Sequence, residues 1–207
     1  MSAIRILLLG PQWRNEPIQS FLRQHDYTCD LETGYPSIEL ASKYTHLITS
    51  GFHLKIKSEI LDLFQPLNRL NIHATYLPFG KGIGTVLFAL LFPIPLGSSI
   101  HILAPDLDTG DILIQEPLSI PSHVHSQRQL HAYWVLHATN LFLDNFRSLL
   151  DGELNPVPQN QSFTAPYISR SKSELFLSLL SSAWDSPISE CHELSLHLAL
   201  RSANRCL

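Results

Sequence analysis

Three polar side chains at the ends of apolar segments have the types needed for acyl transfer. Asn71 and His73 close one such segment, and Asp108 follows another, within the Leu-Asp-Thr-Gly of residues 107–110. An amide, an imidazole and a carboxylate in one place can polarise a carbonyl, stabilise a developing oxyanion and move one proton. The group predicts acyl transfer to an amine without a covalent enzyme intermediate. Each residue alone is more typical of a turn or a surface loop, so the prediction depends on their coincidence.

Short apolar segments alternate with amphipathic segments along the first 150 residues. The predicted strands are 4–9, 27–31, 45–49, 67–72, 98–103 and 111–118. The predicted helices are 17–24, 37–43, 57–64, 85–92 and 126–150. This alternation predicts an α/β fold with a largely parallel sheet and ligands at the carboxyl ends of its strands. We therefore expect the three polar residues to lie at such ends.

The composition changes after Gly152, which closes the long helix. A stretch rich in Pro, Asn and Gln follows, and two further amphipathic helices are predicted at 173–184 and 189–201. We predict a catalytic domain over residues 1–152 and a short carboxy-terminal helical appendage over 153–207.

Composition and charge argue against several classes of function. The formal net charge is -4, and the 14 Lys and Arg residues are scattered, so binding of nucleic acid is not expected. Three cysteines without a C-x-x-C pair predict neither disulfides nor a structural zinc site, which fits the cytoplasm. His123 and His125 lack a third ligand at suitable spacing, so no metal is predicted. No apolar segment is long enough to span a membrane.

In order and spacing, these residues resemble the 10-formyltetrahydrofolate-dependent formyltransferases. That family includes glycinamide ribonucleotide, methionyl-tRNA and sugar N-formyltransferases. Its hallmark is Asn-x-His, a Leu-Pro turn and Gly, and a later Leu-Asp-x-Gly; here these are Asn71, His73, 77–78, Gly82 and 107–110. The resemblance covers about residues 45–118. It implies a Rossmann-like sheet, abridged in its first half, and 10-formyltetrahydrofolate as the formyl donor.

The resemblance also implies a role for each polar residue. Asn71 would donate a hydrogen bond to the formyl oxygen, and His73 would stabilise the oxyanion. Asp108 would orient His73 and help to remove the proton from the attacking amine. These roles agree with the chemistry that the residue types allow.

Two further sets of residues follow from the resemblance. The residues implied at the folate site are Gly51, Phe52, His53, Leu54, Ile56, Pro105, Asp106 and Leu107. For Leu54 and Ile56, packing in the core is the alternative. The residues implied at the acceptor site are Tyr76, Pro78, Gly80, Lys81 and Gly82.

The acceptor is expected to be a small-molecule amine, and departures from the family pattern narrow the range of possible acceptors. The segment 10–13 lacks the glycine-rich phosphate cradle of the glycinamide ribonucleotide enzymes. The carboxy-terminal domain of the methionyl-tRNA enzymes is also missing. The chain looks like the short sugar-type group, and Tyr167, Arg170 and Lys172 agree with that group. An amino-sugar nucleotide is therefore the predicted acceptor.

An apolar helix is the reason why other acceptors stay possible alternatives. Residues 86–92 form an unusually apolar helix, Val-Leu-Phe-Ala-Leu-Leu-Phe. Burial against the tail helices or a second subunit is the favoured explanation, and a homodimer through these helices is a further expectation. A peptide or another hydrophobic amine is the alternative acceptor. Hydrolysis of formyl-folate and a non-catalytic, formyltransferase-like binding module are further alternatives.

Overall fold

A six-stranded sheet is the centre of the computed structural model, which describes residues 3–82, 85–92, 94–160 and 170–203. The strands are β1 (Arg5–Leu9), β2 (Thr28–Glu32), β3 (His46–Ser50), β4 (Arg69–His73), β5 (Gly97–Ile102) and β6 (Ile112–Pro117). The α-helices are α1 (Gln12–Gln24), α2 (Ile38–Ala41), α3 (Ser58–Leu61), α4 (Thr85–Leu91), α5 (Gln127–Leu150), α6 (Arg170–Ser178) and α7 (Ile188–Ala203). Short 3-10 turns lie at Pro66–Asn68 and Ala183–Asp185.

Strand direction divides the sheet into two parts. The strand order is β2-β1-β3-β4-β5-β6, and β2, β1, β3 and β4 are parallel. β5 is antiparallel to β4, and β6 is antiparallel to β5. The predicted Rossmann-like α/β fold with a largely parallel sheet is therefore confirmed.

The direction of β5 corrects one expectation about the site. In the β4–β5 pairing, Leu70 is opposite Ile102 and His73 is opposite Ser99. The carboxyl end of β5 therefore lies at the opposite edge of the sheet from the carboxyl end of β4. The prediction that Asp108 reaches the site by following a strand end on the same edge as His73 is wrong.

Helices cover both faces of the sheet, which explains the continuous apolar segment of β1. On one face, α1 and α5 pack on Ile6, Leu8, Ile48, Leu70 and Ile72. On the other face, residues of α2 and α3 pack with Leu7, Leu9 and Leu47. Side chains alternate between faces along a strand, so the neighbours Asn71 and His73 point away from α5.

Helix α1 begins five residues before the predicted start at Pro17. Pro11 precedes its first turn with an extended backbone, and Pro17 lies inside the helix. A proline there removes one hydrogen bond, to the carbonyl of Trp13 in the exposed first turn, where water can replace it. The earlier start places Trp13 and Arg14 on the helix.

Helix α4 is buried by the carboxy-terminal helices. Its residues Val86, Leu87, Leu90 and Leu91 form a second apolar core with α5, and Leu180 and Cys191 of the tail join this core. Burial against the tail helices, the favoured explanation of the apolar segment, is confirmed. Most of the apolar segment is therefore used for packing, although Phe92 is 37% exposed and Val86 lines a cavity described below.

The tail does not form the predicted helix over 173–184. α6 ends at Ser178, and the chain then turns into the 3-10 segment Ala183–Asp185. Bonds of the i to i−3 type at Leu179 and Leu180 end the helix, so the last residues leave its axis. The boundary predicted at 152 stays a prediction, as does a homodimer, although the leucines Leu175, Leu179 and Leu196 of α6 and α7 are exposed.

Two further findings concern the described residues alone. No helix among them is long and apolar enough to cross a membrane. Tyr167 and the side chain of Arg170, two of the three sugar-type residues of the sequence analysis, lie outside the described residues.

Candidate active site

A row of polar side chains crosses the centre of the sheet. Thr49 of β3 is opposite Asn71 of β4, which is opposite His101 of β5. The Thr49 hydroxyl donates to Asn71 Oδ1 at 2.7 Å, and Asn71 Nδ2 lies 3.0 Å from His101 Nε2. Neighbouring strands thus hold the Asn71 amide in one orientation before any ligand binds.

The contacts of His101 define its tautomer. Its Nδ1 lies 2.9 Å from the backbone oxygen of Ile102, which can only accept, so Nδ1 carries the proton in the neutral ring. Nε2 is then an acceptor and takes a hydrogen from Asn71. His101 is 1% exposed, so water does not compete for this bond.

Asp108 reaches this row because the loop after β5 folds back over the sheet. Gly110 makes the return, since a Cβ at that position would lie 1.9 Å from the backbone oxygen of Ile102. Gln159 fixes the loop by donating from Nε2 to the backbone oxygens of Asp108 at 3.0 Å and Gly110 at 2.7 Å. Asp108 itself has a φ of 53°, a left-handed conformation that Asp tolerates better than most residues.

Hydrogen bonds keep Asp108 ionised at neutral pH. Its Oδ2 accepts from the backbone N–H of Gly82 at 3.1 Å, and its Oδ1 accepts from Asn71 Nδ2 at 3.3 Å. Burial raises the pKa of Asp108, but the positive charge that His73 gains when it is protonated in acid, together with the contacts of His101 and the Gly82 N–H, outweighs it and holds the pKa well below its usual range. The carboxylate is therefore available as a proton acceptor.

His73 is the neutral partner of this carboxylate. Its Nε2 lies 3.8 Å from Asp108 Oδ2 and 3.4 Å from the backbone oxygen of Gly80. Burial lowers the pKa of His73 by more than the Asp108 charge raises it. A neutral imidazole carries one N–H, and two acceptors near Nε2 favour that nitrogen as its place.

The turn after His73 is held by side chains of the antiparallel strands. Ser99 Oγ donates to the backbone oxygen of Thr75 at 2.7 Å and accepts from the N–H of Leu77 at 3.0 Å. Gln115 Nε2 donates to Ser99 Oγ and to the backbone oxygen of Leu77. The segment from His73 to Gly82 is thus positioned from β5 and β6.

Two cavities meet at this group of residues. The larger has a volume of about 370 Å³, contains His73 in its lining and extends toward α5 and the tail. The smaller is about 40 Å³. Asn71 and Asp108 line both cavities. The helices and the tail contribute Trp13, Arg14, Thr85, Val86, His131, Trp134, Ser173 and Trp184 to the lining of the larger cavity.

The chain is similar to proteins of known function. No protein-family model matches the chain. The methionyl-tRNA formyltransferase of Carboxydothermus hydrogenoformans is 30% identical over 122 residues, which are 58% of this chain and 39% of that protein. The chain is a relative of the formyltransferases. It spans about two fifths of the length of that curated relative.

Solved structures of formyltransferases share the fold. The formyltransferase PseJ from Anoxybacillus kamchatkensis, in complex with UDP-4,6-dideoxy-4-formamido-L-AltNAc and tetrahydrofolate, matches at a TM-score of 0.82 and 24% identity over 90% of this chain and 97% of that chain. An N-formyltransferase from Helicobacter canadensis, in complex with folinic acid and dTDP-3-aminofucose, matches at a TM-score of 0.67 and 16% identity over 82% and 72% of the two chains.

Most residues implied at the formyltransferase folate site lie around the two cavities. Leu54, Ile56 and Asp106 line the smaller cavity, and Gly51 and His53 line the larger. Phe52 and Leu107 line both. Pro105 is exposed and lines neither. Ile56 also belongs to the apolar core under β3, as its alternative interpretation predicted, and its contact with a folate stays a prediction.

The residues implied at the acceptor site are less well grouped. Gly82 lines the larger cavity and binds Asp108. Tyr76, Pro78, Gly80 and Lys81 line neither cavity, although the backbone oxygen of Gly80 contacts His73. Their role in acceptor binding stays a prediction.

Several residues of this site are not among those predicted from the sequence. Thr49 and His101 lie inside apolar strands, and a polar residue in such a strand was the signal that could have found them. Trp13, Arg14 and Trp184 come from two distant elements, and nothing in their local sequence indicates a shared cavity. His131 of α5 also lines the larger cavity.

Proposed function

We propose that this protein transfers the formyl group of 10-formyltetrahydrofolate to a primary amine of an amino-sugar nucleotide. The observation that carries the proposal is the position of Asn71 and Asp108 at the boundary of two cavities. A donor in one cavity and an acceptor in the other would bring their reacting atoms together at these residues. The sequence relatives support the reaction, because they are formyltransferases.

The smaller cavity has a lining that matches the ring of the formyl donor. Leu54, Ile56 and Leu107 give it apolar walls for the flat ring of a folate. Two solved neighbours, PseJ and the Helicobacter canadensis enzyme, are in complex with tetrahydrofolate and folinic acid. A volume of about 40 Å³ is small for a bicyclic ring, so the loops at 51–56 and 103–108 have to separate when a folate binds. The exposed ion pair between Lys55 and Asp106 joins these loops and is weak enough to open.

The polar residues then divide the chemistry of transfer among them. The acceptor nitrogen forms a bond to the formyl carbon, and the bond from that carbon to the donor nitrogen breaks. Asn71 and His73 donate hydrogen bonds to the formyl oxygen as it gains negative charge. Asp108 is ionised and takes the proton that the amine loses, and the donor nitrogen gains one proton, directly or through water.

The acceptor class is supported by the larger cavity and by its neighbours. PseJ, which the chain matches over 97% of the PseJ chain, is in complex with a UDP-linked formamido sugar. The Helicobacter canadensis enzyme is in complex with a dTDP-linked amino sugar. The peptide or hydrophobic amine is less favoured, because most apolar residues of α4, the helix that suggested it, pack against α5 and the tail.

The direct test is an assay with 10-formyltetrahydrofolate and a panel of UDP- and dTDP-linked amino sugars, with a free peptide amine alongside. We expect mass spectrometry to show one added formyl group on a sugar nucleotide. The variants Asp108→Asn and His73→Ala should lose roughly 10²- to 10⁴-fold of the rate at temperatures where thermal unfolding shows each variant fully folded.

The other outcomes identify the alternatives. Formylation of the peptide alone would contradict the sugar nucleotide as acceptor. If formate is released at a rate that does not depend on any added acceptor, the protein is a hydrolase. Folate binding without turnover would indicate a binding module. Unchanged activity in either variant would contradict the mechanism.

A further inference from the structure

A guanidinium without a carboxylate partner lies in the wall of the larger cavity. Arg14 of α1 donates from Nε to Ser50 Oγ at 2.9 Å, and its chain lies over Gly51, where an added Cβ would be 2.9 Å from Arg14 Cδ. Within the described part of the chain, no carboxylate is at ion-pair distance from Arg14 and its two Nη atoms make no hydrogen bond. The side chain is therefore fixed at Nε and open at the end of its fork.

This position is costly for a cation unless an anion binds there. Burial lowers the pKa of Arg14 to about 10, which still leaves it charged at neutral pH. Arg14 lines the same cavity as His73 of the catalytic group and His131 of α5. Asp108 is the carboxylate in the lining of this cavity, and it is already bound by Gly82 and Asn71. An anionic ligand would satisfy the open Nη atoms.

Aromatic rings surround the outer part of the same cavity. The His131 ring centroid lies 6.4 Å from that of Trp13 and 5.5 Å from that of Trp184. Trp13 is 64% exposed, an unusual state for an indole that has no ligand to cover it. Indole faces are good surfaces for stacking a planar base.

Contacts with α5 hold the turn that carries Trp184 in place. Arg128 of α5 forms a two-pronged ion pair with Asp185, at 2.6 Å from Nε and 3.0 Å from Nη2. The backbone N–H of Gln127 also donates to the carbonyl of Ser186 at 3.1 Å. The 3-10 turn that carries Trp184 is thus attached to the start of α5, beside the cavity.

We propose that Arg14 binds the phosphate groups, and Trp13 and Trp184 the base, of a nucleoside diphosphate that forms part of the acceptor. The proposal rests on the proposed function, because the amine of the same molecule has to reach His73. His73, Arg14, Trp13 and Trp184 all line this one cavity. A single acceptor can therefore present its amine to His73, its diphosphate to Arg14 and its base to the aromatic rings.

The test measures nucleotide binding alone, without folate or transfer. The intrinsic fluorescence of the tryptophans is titrated with UDP, dTDP, CDP, ADP and GDP, and with inorganic phosphate and uridine as partial ligands. We expect at least one diphosphate to bind more tightly than inorganic phosphate or uridine, because only the diphosphate meets both Arg14 and the rings. Equal or weaker binding of all five diphosphates would overturn the proposal.

Variants separate the two parts of the subsite. Arg14→Gln should weaken the diphosphate by roughly tenfold to a hundredfold, the range for one lost charged contact, and Arg14→Lys by less. Arg147→Gln is the matched control, because that exposed arginine of α5 lies in neither cavity. Trp13→Leu and Trp184→Leu should each weaken the diphosphate and leave inorganic phosphate unchanged, measured by calorimetry. An Arg14→Gln affinity within twofold of wild type would contradict the proposal.

Kinetics distinguish a failure of this subsite from a failure of the proposed function. If a sugar nucleotide is formylated, Arg14→Gln should raise the KM for that acceptor and leave the KM for 10-formyltetrahydrofolate unchanged. Transfer with an unchanged acceptor KM in Arg14→Gln would contradict the proposed subsite and support the proposed function. Diphosphate binding that depends on Arg14, without any transfer, would support the subsite and contradict the proposed function.

Discussion

Asn71 Nδ2 donates its two hydrogens to His101 Nε2 at 3.0 Å and to Asp108 Oδ1 at 3.3 Å. The amide oxygen of Asn71 is taken by the Thr49 hydroxyl. Every hydrogen-bonding group of this amide therefore has a protein partner. To reach a formyl oxygen, Asn71 has to share one of its two hydrogens, and the His101 contact keeps the amide oriented while it does so.

His101 should act as a positioning residue for Asn71. In His101→Leu the acceptor for Asn71 is lost, and we expect kcat to fall by about tenfold or more, the effect of one lost buried hydrogen bond. His101→Gln can present its amide oxygen to Asn71 and should keep more of the rate. Steady-state kinetics on both variants, at temperatures well below their unfolding, give the comparison. Equal kcat in the two variants would show that His101 only fills space.

The core chemistry of this site could be predicted from the sequence, but its supporting residues could not. Asn71, His73 and Asp108 carry a recognisable spacing, and the α/β pattern follows from alternating periodicities. The direction of β5 is decided by pairing with β4, and an apolar strand segment carries no signal of its direction. Asp108 was thus expected at a shared sheet edge, although it arrives from the opposite edge on a returning loop.

The residues of the acceptor side could not be predicted from the sequence, for a different reason. Arg14 lies on α1 only because this helix begins before Pro17, where its start was predicted. Trp184 reaches the cavity because the predicted helix breaks after Ser178. Local propensity describes each element alone, and these contacts depend on how α1, α5 and the tail pack together.

Two residues of the folate loop should respond differently to truncation. Leu54 is 54% exposed and Ile56 is 5% exposed, although both line the smaller cavity. Leu54→Ala should weaken binding of a folate analogue and leave the free energy of unfolding within about 0.5 kcal/mol of wild type. Ile56→Ala removes core packing and should lower the free energy of unfolding by about 2–5 kcal/mol. Urea denaturation and a folate titration on each variant measure the two effects. A stability loss in Leu54→Ala as large as that in Ile56→Ala would contradict the assignment.

Stability should decrease as the pH falls below neutrality. Burial lowers the pKa of both His46 and His73, so the unfolded chain, with histidine pKa values of about 6.5, takes up these protons first. The free energy of unfolding is therefore largest above about pH 6.5, falls by at most about 1.4 kcal/mol per pH unit for each histidine, and levels off below the folded pKa values. Asp108, whose pKa is lowered, contributes stability that is lost only as the pH falls below about 3.9 and toward its folded pKa.

Urea denaturation between pH 7.5 and pH 5 measures this slope. His73→Gln should make the slope shallower, because one buried group no longer titrates. A slope that is the same with and without the His73 imidazole would mean that this residue is as easily protonated in the folded protein as in the unfolded chain.

The return of the loop at Gly110 should be essential for transfer. A Cβ in Gly110→Ala would lie 1.9 Å from the Ile102 oxygen and 2.8 Å from its carbon, and both are backbone atoms that cannot turn aside. The loop has to lift, the Gln159 contacts at Asp108 and Gly110 lengthen, and Asp108 leaves Asn71. We expect a loss of rate of about 10²-fold or more, since misplacing a catalytic group by about 1 Å has that effect.

Gly152→Ala is the matched control for the glycine substitution itself. Gly152 has a φ of 67°, and its nearest neighbour is a side-chain atom of Leu67 at 3.6 Å, so the added methyl group meets no backbone. That variant should lose about 1–2 kcal/mol of stability from left-handed strain and keep its transfer rate. Gly110→Ala should lose its rate even at temperatures where thermal unfolding shows the variant fully folded. Similar rates in the two variants would mean that the close approach to Ile102 does not position Asp108.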